Sequence, residues 1–180
     1  MALDLTRYCD GEPWYEAARL DSAFECLGVQ NCSAVYTLLP AGEVQVVNTA
    51  HGAVFGLPYS VRGVARTTGR DNRALAVSFL DSMNSKTNYF VLDFDADAYQ
   101  WAVVVGPQKG GLAWVLVRDN YEMSEELARR LVGELMLHGI LVEKMVFNTA
   151  DRSTRNRCLV SAERLRQAEE EIVVHRQVHT

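Results

Sequence analysis

The sequence predicts an all-β fold of about eight antiparallel strands with one helix packed against the outside. Three observations carry this. Between Trp14 and Arg118, short runs rich in Val, Tyr, Phe and Ala are separated by Gly, Pro, Asn and Asp, the pattern of consecutive antiparallel strands rather than of strand–helix–strand units. Within the runs side chains alternate, most clearly in Leu75-Ala-Val77-Ser-Phe79, so the larger apolar groups collect on one face. After the last run the period changes, and Leu127, Leu131 and Leu135 stand four apart, a helical stripe.

In chain order, strands are expected at Trp14–Leu20, Cys32–Leu38, Glu43–Ala50, Ser60–Thr67, Ala74–Leu80, Asn88–Asp93, Tyr99–Val105 and Gly111–Arg118. Turn chemistry separates them at Pro40-Ala-Gly42, Gly69-Arg-Asp-Asn72, Asp93-Phe-Asp-Ala-Asp97 and Gly106-Pro107, where Gly, Asn and Asp tolerate tight backbone and proline pre-sets φ. Even spacing of this kind suits an up-and-down barrel or a two-sheet sandwich.

The helix is expected over Ser124–His138. Ser124 is placed to cap it, Glu125 and Glu126 suit the positive end, and Gly139 is placed to stop it. Its leucine face must be buried against the sheet. Leu141–Phe147 reads as a short edge strand, and Ser161–Val173, with Leu165, Ala168 and Ile172 in helical spacing, as a second helix or a frayed tail. Residues 1–150 are therefore read as the β domain with its helix at 124–138, and residues 151–180 as a charged extension, part of that domain or a tail.

Bulk properties exclude several classes. The chain has 180 residues, enough for one domain with a sizeable core. A net charge of −5 argues against nucleic acid as a partner; the basic cluster Arg152, Arg155, Arg157, Arg164 and Arg166 is opposed by Glu169–Glu171. No apolar run approaches the roughly 20 residues of a membrane-spanning helix, and the longest candidate, 131–147, is broken by charged residues and glycines. The first seven residues lack the apolar stretch of a signal peptide, which leaves a cytoplasmic protein or a mature secreted or periplasmic form. The four cysteines include no C-x-x-C pair, so zinc has no spacing to support it. His175 and His179 have the spacing of a helical metal pair but sit in a terminal tail. Gly106–Gly111 lacks the Lys-Ser/Thr ending of a phosphate loop, and Asn31-Cys-Ser33 is a poor glycosylation acceptor. No metal, cofactor or catalytic residue is expected.

Three segments carry a family resemblance. Trp14-Tyr-Glu-Ala-Ala-Arg-Leu20, following Asp4-Leu-Thr-Arg-Tyr8, resembles the first-strand signature of lipocalins, especially the bacterial lipocalin, apolipoprotein D and plant temperature-induced group. Tyr99-Gln-Trp-Ala-Val-Val-Val-Gly-Pro107 is similar to the seventh strand of that group, and Trp114-Val-Leu-Val-Arg118 to its last strand and arginine. One departure stands out: Gly11 and Trp14 are separated by two residues, Glu12 and Pro13, where the family has one. Proline fixes φ and removes a donor, so the start of this strand must be rebuilt locally.

The resemblance implies a closed eight-stranded antiparallel up-and-down barrel that carries or scavenges a small apolar ligand, such as a fatty acid, lysophospholipid or sterol, in its interior. It also implies that Trp14 and Arg118 form a structural plug at the closed end. Strand parity then nominates the lining as Leu112, Trp114 and Leu116, Leu75, Val77 and Phe79, Ala34 and Tyr36, and Tyr89 and Val91. No inward arginine or lysine offers itself to a ligand carboxylate, although Arg62 and Arg66 lie near the open end as candidate head-group contacts. Phe24 and Phe55 fall in loops as lid residues or loop anchors. By the same resemblance, Cys32 and Cys158 are expected to be bridged, tying the extension to the barrel; Cys9 and Cys26 form a second candidate pair. A lipid-modifying enzyme with Cys26 or Cys32 as nucleophile is the competing reading, and a non-catalytic interaction module with a filled barrel is another. A peripheral membrane association and a homodimer are both compatible with the sequence.

Overall fold

Each barrel strand forms where the alternating runs place it. The computed structural model describes residues 1–20, 29–52, 58–79, 86–148 and 158–178. A short helix, α1 (Leu5–Tyr8), leads into β1 (Asp10–Leu20), β2 (Val29–Leu38), β3 (Val44–Gly52), β4 (Pro58–Thr67), β5 (Ala74–Phe79), β6 (Tyr89–Phe94), β7 (Trp101–Val105) and β8 (Ala113–Val117). Neighbours in sequence pair antiparallel, and β1 pairs with both β8 and β2. That double pairing closes the barrel, so the sandwich alternative does not apply.

The barrel leaves no ladder edge open around its lower half. Higher up, β1 and β2 separate after the Tyr15–Ser33 pair. The edge that β1 then presents is taken by β9 (Met145–Phe147), the expected short edge strand, which pairs with Ala18, Arg19 and Leu20.

Two apolar clusters lie on opposite sides of one wall. Inside the barrel, Trp14, Ala34, Tyr36, Val46, Leu75, Val91, Ala102, Val104 and Leu116 pack together. Outside, Ala18, Val103, Val115 and Val117 pack against Ala128, Leu131, Val132 and Leu135 of α2 (Glu125–Leu137) and against Ala162, Leu165 and Ala168 of α3 (Leu159–Val178). Strands β7 and β8 are covered on both faces, which explains why they read as almost unbroken apolar runs. The Ser124 side chain accepts from Leu127 N–H, and Gly139 adopts φ +79°, so α2 begins and ends with the expected chemistry. Helix α3 is anchored by Ser161, whose hydroxyl donates to the Tyr121 carbonyl and accepts from Met123 N–H.

Candidate ligand cavity

The closed end is built around one buried stack. Trp14 is fully buried, and the guanidinium of Arg118 lies 3.9 Å from the centroid of its indole. Arg118 donates to the carbonyls of Glu12, Arg7 and Tyr99 at 2.8, 3.3 and 3.3 Å and to the Asp10 carboxylate at 3.0 Å. The indole N–H of Trp14 donates to the Tyr8 carbonyl at 3.0 Å. Every polar group that the stack buries is thus satisfied, so the plug fixes the end of the barrel instead of binding a ligand there.

The extra residue between Gly11 and Trp14 is absorbed by a bulge. Asp10 opposes Thr37 and Pro13 opposes Val35, three steps on β1 against two on β2, with Gly11 at φ +89°. Glycine takes that backbone conformation without strain, and Pro13, which has no amide to donate, stands at the edge of the irregularity.

Above the plug the interior opens into a cavity of about 630 Å³. Eight of the ten side chains nominated from parity line it: Ala34, Tyr36, Val77, Phe79, Tyr89, Leu112, Trp114 and Leu116. Leu75 and Val91 do not; they are buried in the cluster beneath it. Val46, Ala50, Tyr59, Val61 and Pro107 complete the apolar lining. Gly63 makes room for one of these groups: a Cβ there would stand 2.5 Å from the Ser78 carbonyl oxygen and 2.8 Å from the Phe79 ring. The side chains of β4 at that level yield to the aromatic ring of β5.

Polar groups enter the cavity at two levels. At its base the hydroxyl of Tyr89 lies 2.7 Å from that of Tyr8 and 3.2 Å from that of Tyr36. The Tyr8 ring stacks on Tyr36 at 5.5 Å and packs on Trp14 at 5.0 Å, so the phenols continue the plug upward. Burial pushes all three phenols above their ordinary ionisation range, and they remain protonated donors. Asn88 sits beside them with its side chain spent on the Val77 backbone, donating and accepting at 2.8 Å. Higher on the wall, Glu16 faces the cavity and pairs with Arg19 Nη1 at 3.3 Å. Arg19 Nη1 also lies 3.6 Å from the Cys32 sulfur.

The interior position of Arg19 corrects the expectation that no basic side chain turns inward. Strict alternation from Trp14 would send residue 19 outward. The register instead slips between Glu16 and Ala18 against β8, the alternation inverts, and Arg19 arrives inside, 8% exposed.

The family model described as a lipocalin-like domain matches residues 3–150, most of the chain and all of the barrel. The chain belongs to the lipocalin-like family. Relatives agree with this. The outer membrane lipoprotein Blc of Escherichia coli (strain K12) is 32% identical over 135 residues, covering 74% of this chain and 73% of that one. Temperature-induced lipocalin-1 of Arabidopsis thaliana is 28% identical and covers 73% and 72%. Among solved structures, japanin from Rhipicephalus appendiculatus, described bound to cholesterol, superimposes with a TM-score of 0.59 at 12% identity, covering 82% of this chain and 98% of that one. At that identity the likeness is one of fold.

Two further expectations fail in this lipocalin. Cys32 and Cys158 do not form a bridge. Cys32 faces the cavity, whereas Cys158 lies in the outer layer with its thiol 3.3 Å from the Glu16 carbonyl and 3.1 Å from the Asn148 amide. The sulfurs therefore belong to different layers, separated by the wall that the resemblance could not place them against. Arg62 and Arg66 also miss the cavity. Both are exposed on the outer face of β4, and Arg66 pairs with Glu43 across β3 and β4, its Nε 2.6 Å from the carboxylate. Of the C-terminal basic cluster, Arg166 pairs with Glu163 and with Glu170 of the expected acidic run, whereas Arg164 pairs with Glu125 of α2. Phe24, Cys26, Phe55, Arg152, Arg155, Arg157 and His179 lie outside the described residues, and His175 is exposed on α3.

Strand alternation does not reveal Tyr8 beneath the cavity, because it precedes the first strand and reaches the barrel base only through α1. Glu16 had a signal: it stands two residues after inward Trp14, and period-two alternation alone puts it inside.

Proposed function

We propose that this lipocalin binds and carries a small hydrophobic ligand inside the barrel. The observation that carries the reading is the cavity itself, about 630 Å³ above a fully satisfied plug and walled mainly by aliphatic and aromatic groups. Small-molecule sites fall in this range of size and combine an apolar lining with few polar groups. Japanin is described bound to cholesterol, which supports a lipid or sterol-like ligand, and the E. coli relative is named an outer membrane lipoprotein, which supports a secreted or envelope location. Residues Ala34, Tyr36, Val77, Phe79, Tyr89, Leu112, Trp114 and Leu116 are assigned to ligand contact, with Leu75 and Val91 as the layer beneath.

Titration with N-phenyl-1-naphthylamine tests this. The probe should brighten on the protein with one site per chain, and organic extraction of the purified protein should release an apolar compound. Absence of both would remove the reading.

Cys32 as a nucleophile is the second reading, favoured by Arg19 Nη1 beside its sulfur. The Glu16 carboxylate on the same guanidinium offsets that charge. Lipid turnover abolished by Cys32→Ala would establish it; no turnover by the wild-type protein would dismiss it.

We also place α3 in the same folding unit as the barrel, on the burial of Cys158, Ala162, Leu165 and Ala168 in the outer layer. Truncation before residue 158 should lower stability and expose Leu131 and Leu135; an unchanged urea midpoint would make α3 an appendage.

A further inference from the structure

The phenol cluster at the cavity base has one proton more than it uses. Tyr8, Tyr36 and Tyr89 bring three O–H donors. Their oxygens make two mutual contacts, Tyr8 to Tyr89 and Tyr36 to Tyr89, and each contact consumes one proton. Among the described residues no other acceptor lies within hydrogen-bond distance of any of the three hydroxyls. The third proton has no acceptor inside the cluster, and in two of the three possible donor arrangements it sits on Tyr36 or Tyr89, both of which border the cavity. A buried donor with nothing to bind is costly, so an acceptor there is worth more than the same acceptor in water.

The acceptor's charge is limited by its surroundings. Arg118 is the cation nearest the cluster's base through Trp14, but its N–H groups are engaged by three carbonyls and by Asp10, which balances its charge. Arg19 is paired with Glu16, whose carboxylate borders the same cavity and repels an anion. A ligand carboxylate at the phenols would be desolvated without a counter-charge.

We infer that the cavity takes a neutral amphiphile oxygen end first, with a hydroxyl or carbonyl oxygen accepting a hydrogen bond from the Tyr36–Tyr89 pair and the apolar body rising past Val77, Phe79 and Trp114. This rests on the reading of the cavity as a ligand site and adds orientation and ligand class to it. The Tyr8 ring packs on Trp14, Tyr36 stacks on Tyr8 and Tyr89 meets Tyr36 edge-on, so the plug that closes the barrel also positions the donor.

The test is a cycle between the wild-type protein and the triple variant Tyr8→Phe, Tyr36→Phe, Tyr89→Phe, with 1-dodecanol and dodecane each displacing N-phenyl-1-naphthylamine. Removing all three hydroxyls leaves none stranded, so the variant keeps the stacked rings without an unpaired donor. The ratio of dodecanol to dodecane affinity should fall about tenfold in the variant. An unchanged ratio overturns the orientation while leaving the cavity reading intact. Failure of both compounds to displace the probe from wild-type protein overturns both. Should the variant not fold, wild-type protein with 1-¹³C-dodecanol decides: nuclear Overhauser contacts from the labelled carbon to the Tyr36 and Tyr89 rings support the inference, and contacts from the chain's terminal methyl to those rings refute it.

Discussion

Arg118 and Trp14, 104 positions apart in sequence, form a single stacked unit in which a guanidinium covers an indole at 3.9 Å and its N–H groups tie α1, β1 and the turn before β7 together. The arginine reinforces a junction that Arg7 also makes, its guanidinium 4.4 Å from the Tyr99 ring centroid and donating to the Asp97 carbonyl. Arg118→Ala should therefore cost about 2–4 kcal/mol, since it strands several buried carbonyls along with the indole face. Arg118→Lys keeps the charge but loses the planar fork, and should recover less than half. Urea unfolding measures both; a loss below about 0.5 kcal/mol would show that the plug is ornamental.

Filling the cavity separates binding from folding. Ala50 is buried and borders the cavity, so Ala50→Phe projects a ring into open space. Probe affinity should fall at least about tenfold, with the thermal midpoint changed by only a few degrees. Undiminished probe binding would place the ligand elsewhere.

Gly63 and Phe79 give a prediction on the wall itself. A methyl at residue 63 meets backbone oxygen at 2.5 Å and the ring at 2.8 Å, and backbone cannot step aside as a side-chain tip can. Gly63→Ala should destabilise by about 1–3 kcal/mol. The companion Gly63→Ala, Phe79→Leu should regain only the part due to the ring, leaving the carbonyl clash.

The Glu16–Arg19 pair is buried, with side-chain exposures of 17% and 9%. Removing one partner leaves a charge inside the wall, so Glu16→Gln and Arg19→Met should each destabilise by about 2–4 kcal/mol. The double substitution should cost less than the sum, because no lone charge remains. Additive losses in the cycle would mean that the pair is not coupled.

Alkaline pH should weaken the fold through two thiols as well as through the three buried phenols. Burial pushes Cys9 up to about 12 and Cys158 up to about 11 from an ordinary value of 9.0. Below pH 9 both states hold their protons and the stability is fully present. Above it the unfolded chain ionises first, the native state retains more protons, and stability falls as pH rises towards 11–12. Cys158 alone contributes on the order of 2–3 kcal/mol to this loss. Cys158→Ala should make the fall of the urea midpoint between pH 9 and 11 shallower, the remainder coming from Cys9 and the phenols; an unaltered slope would assign the alkaline loss wholly to those other groups.

How much of this was legible in sequence depends on whether the information was local. Leu75-Ala-Val77-Ser-Phe79 declares its own faces, and Val77 and Phe79 do border the cavity. Ser124 and Gly139 mark the ends of α2 with side-chain and backbone chemistry that needs no partner. Arg19 could not be read this way, because the bulge that turns it inward is a property of how β1 pairs with β8. Nor could the two cysteines: a spacing in sequence says nothing about which side of a wall a thiol will occupy.

By itself the sequence determined how many strands the barrel has, their order and the helix that covers them, and the family motifs it carries implied the Trp14–Arg118 pair at the closed end. Periodicity and turn chemistry act over a few residues, and they survive any arrangement of the rest. The tertiary structure alone decided that Arg19 and Glu16 share the interior, that Cys32 and Cys158 lie in different layers, and that Tyr8 joins Tyr36 and Tyr89 beneath the cavity. Those outcomes turn on register between distant strands, where a slip of one residue moves a side chain from one face of the sheet to the other.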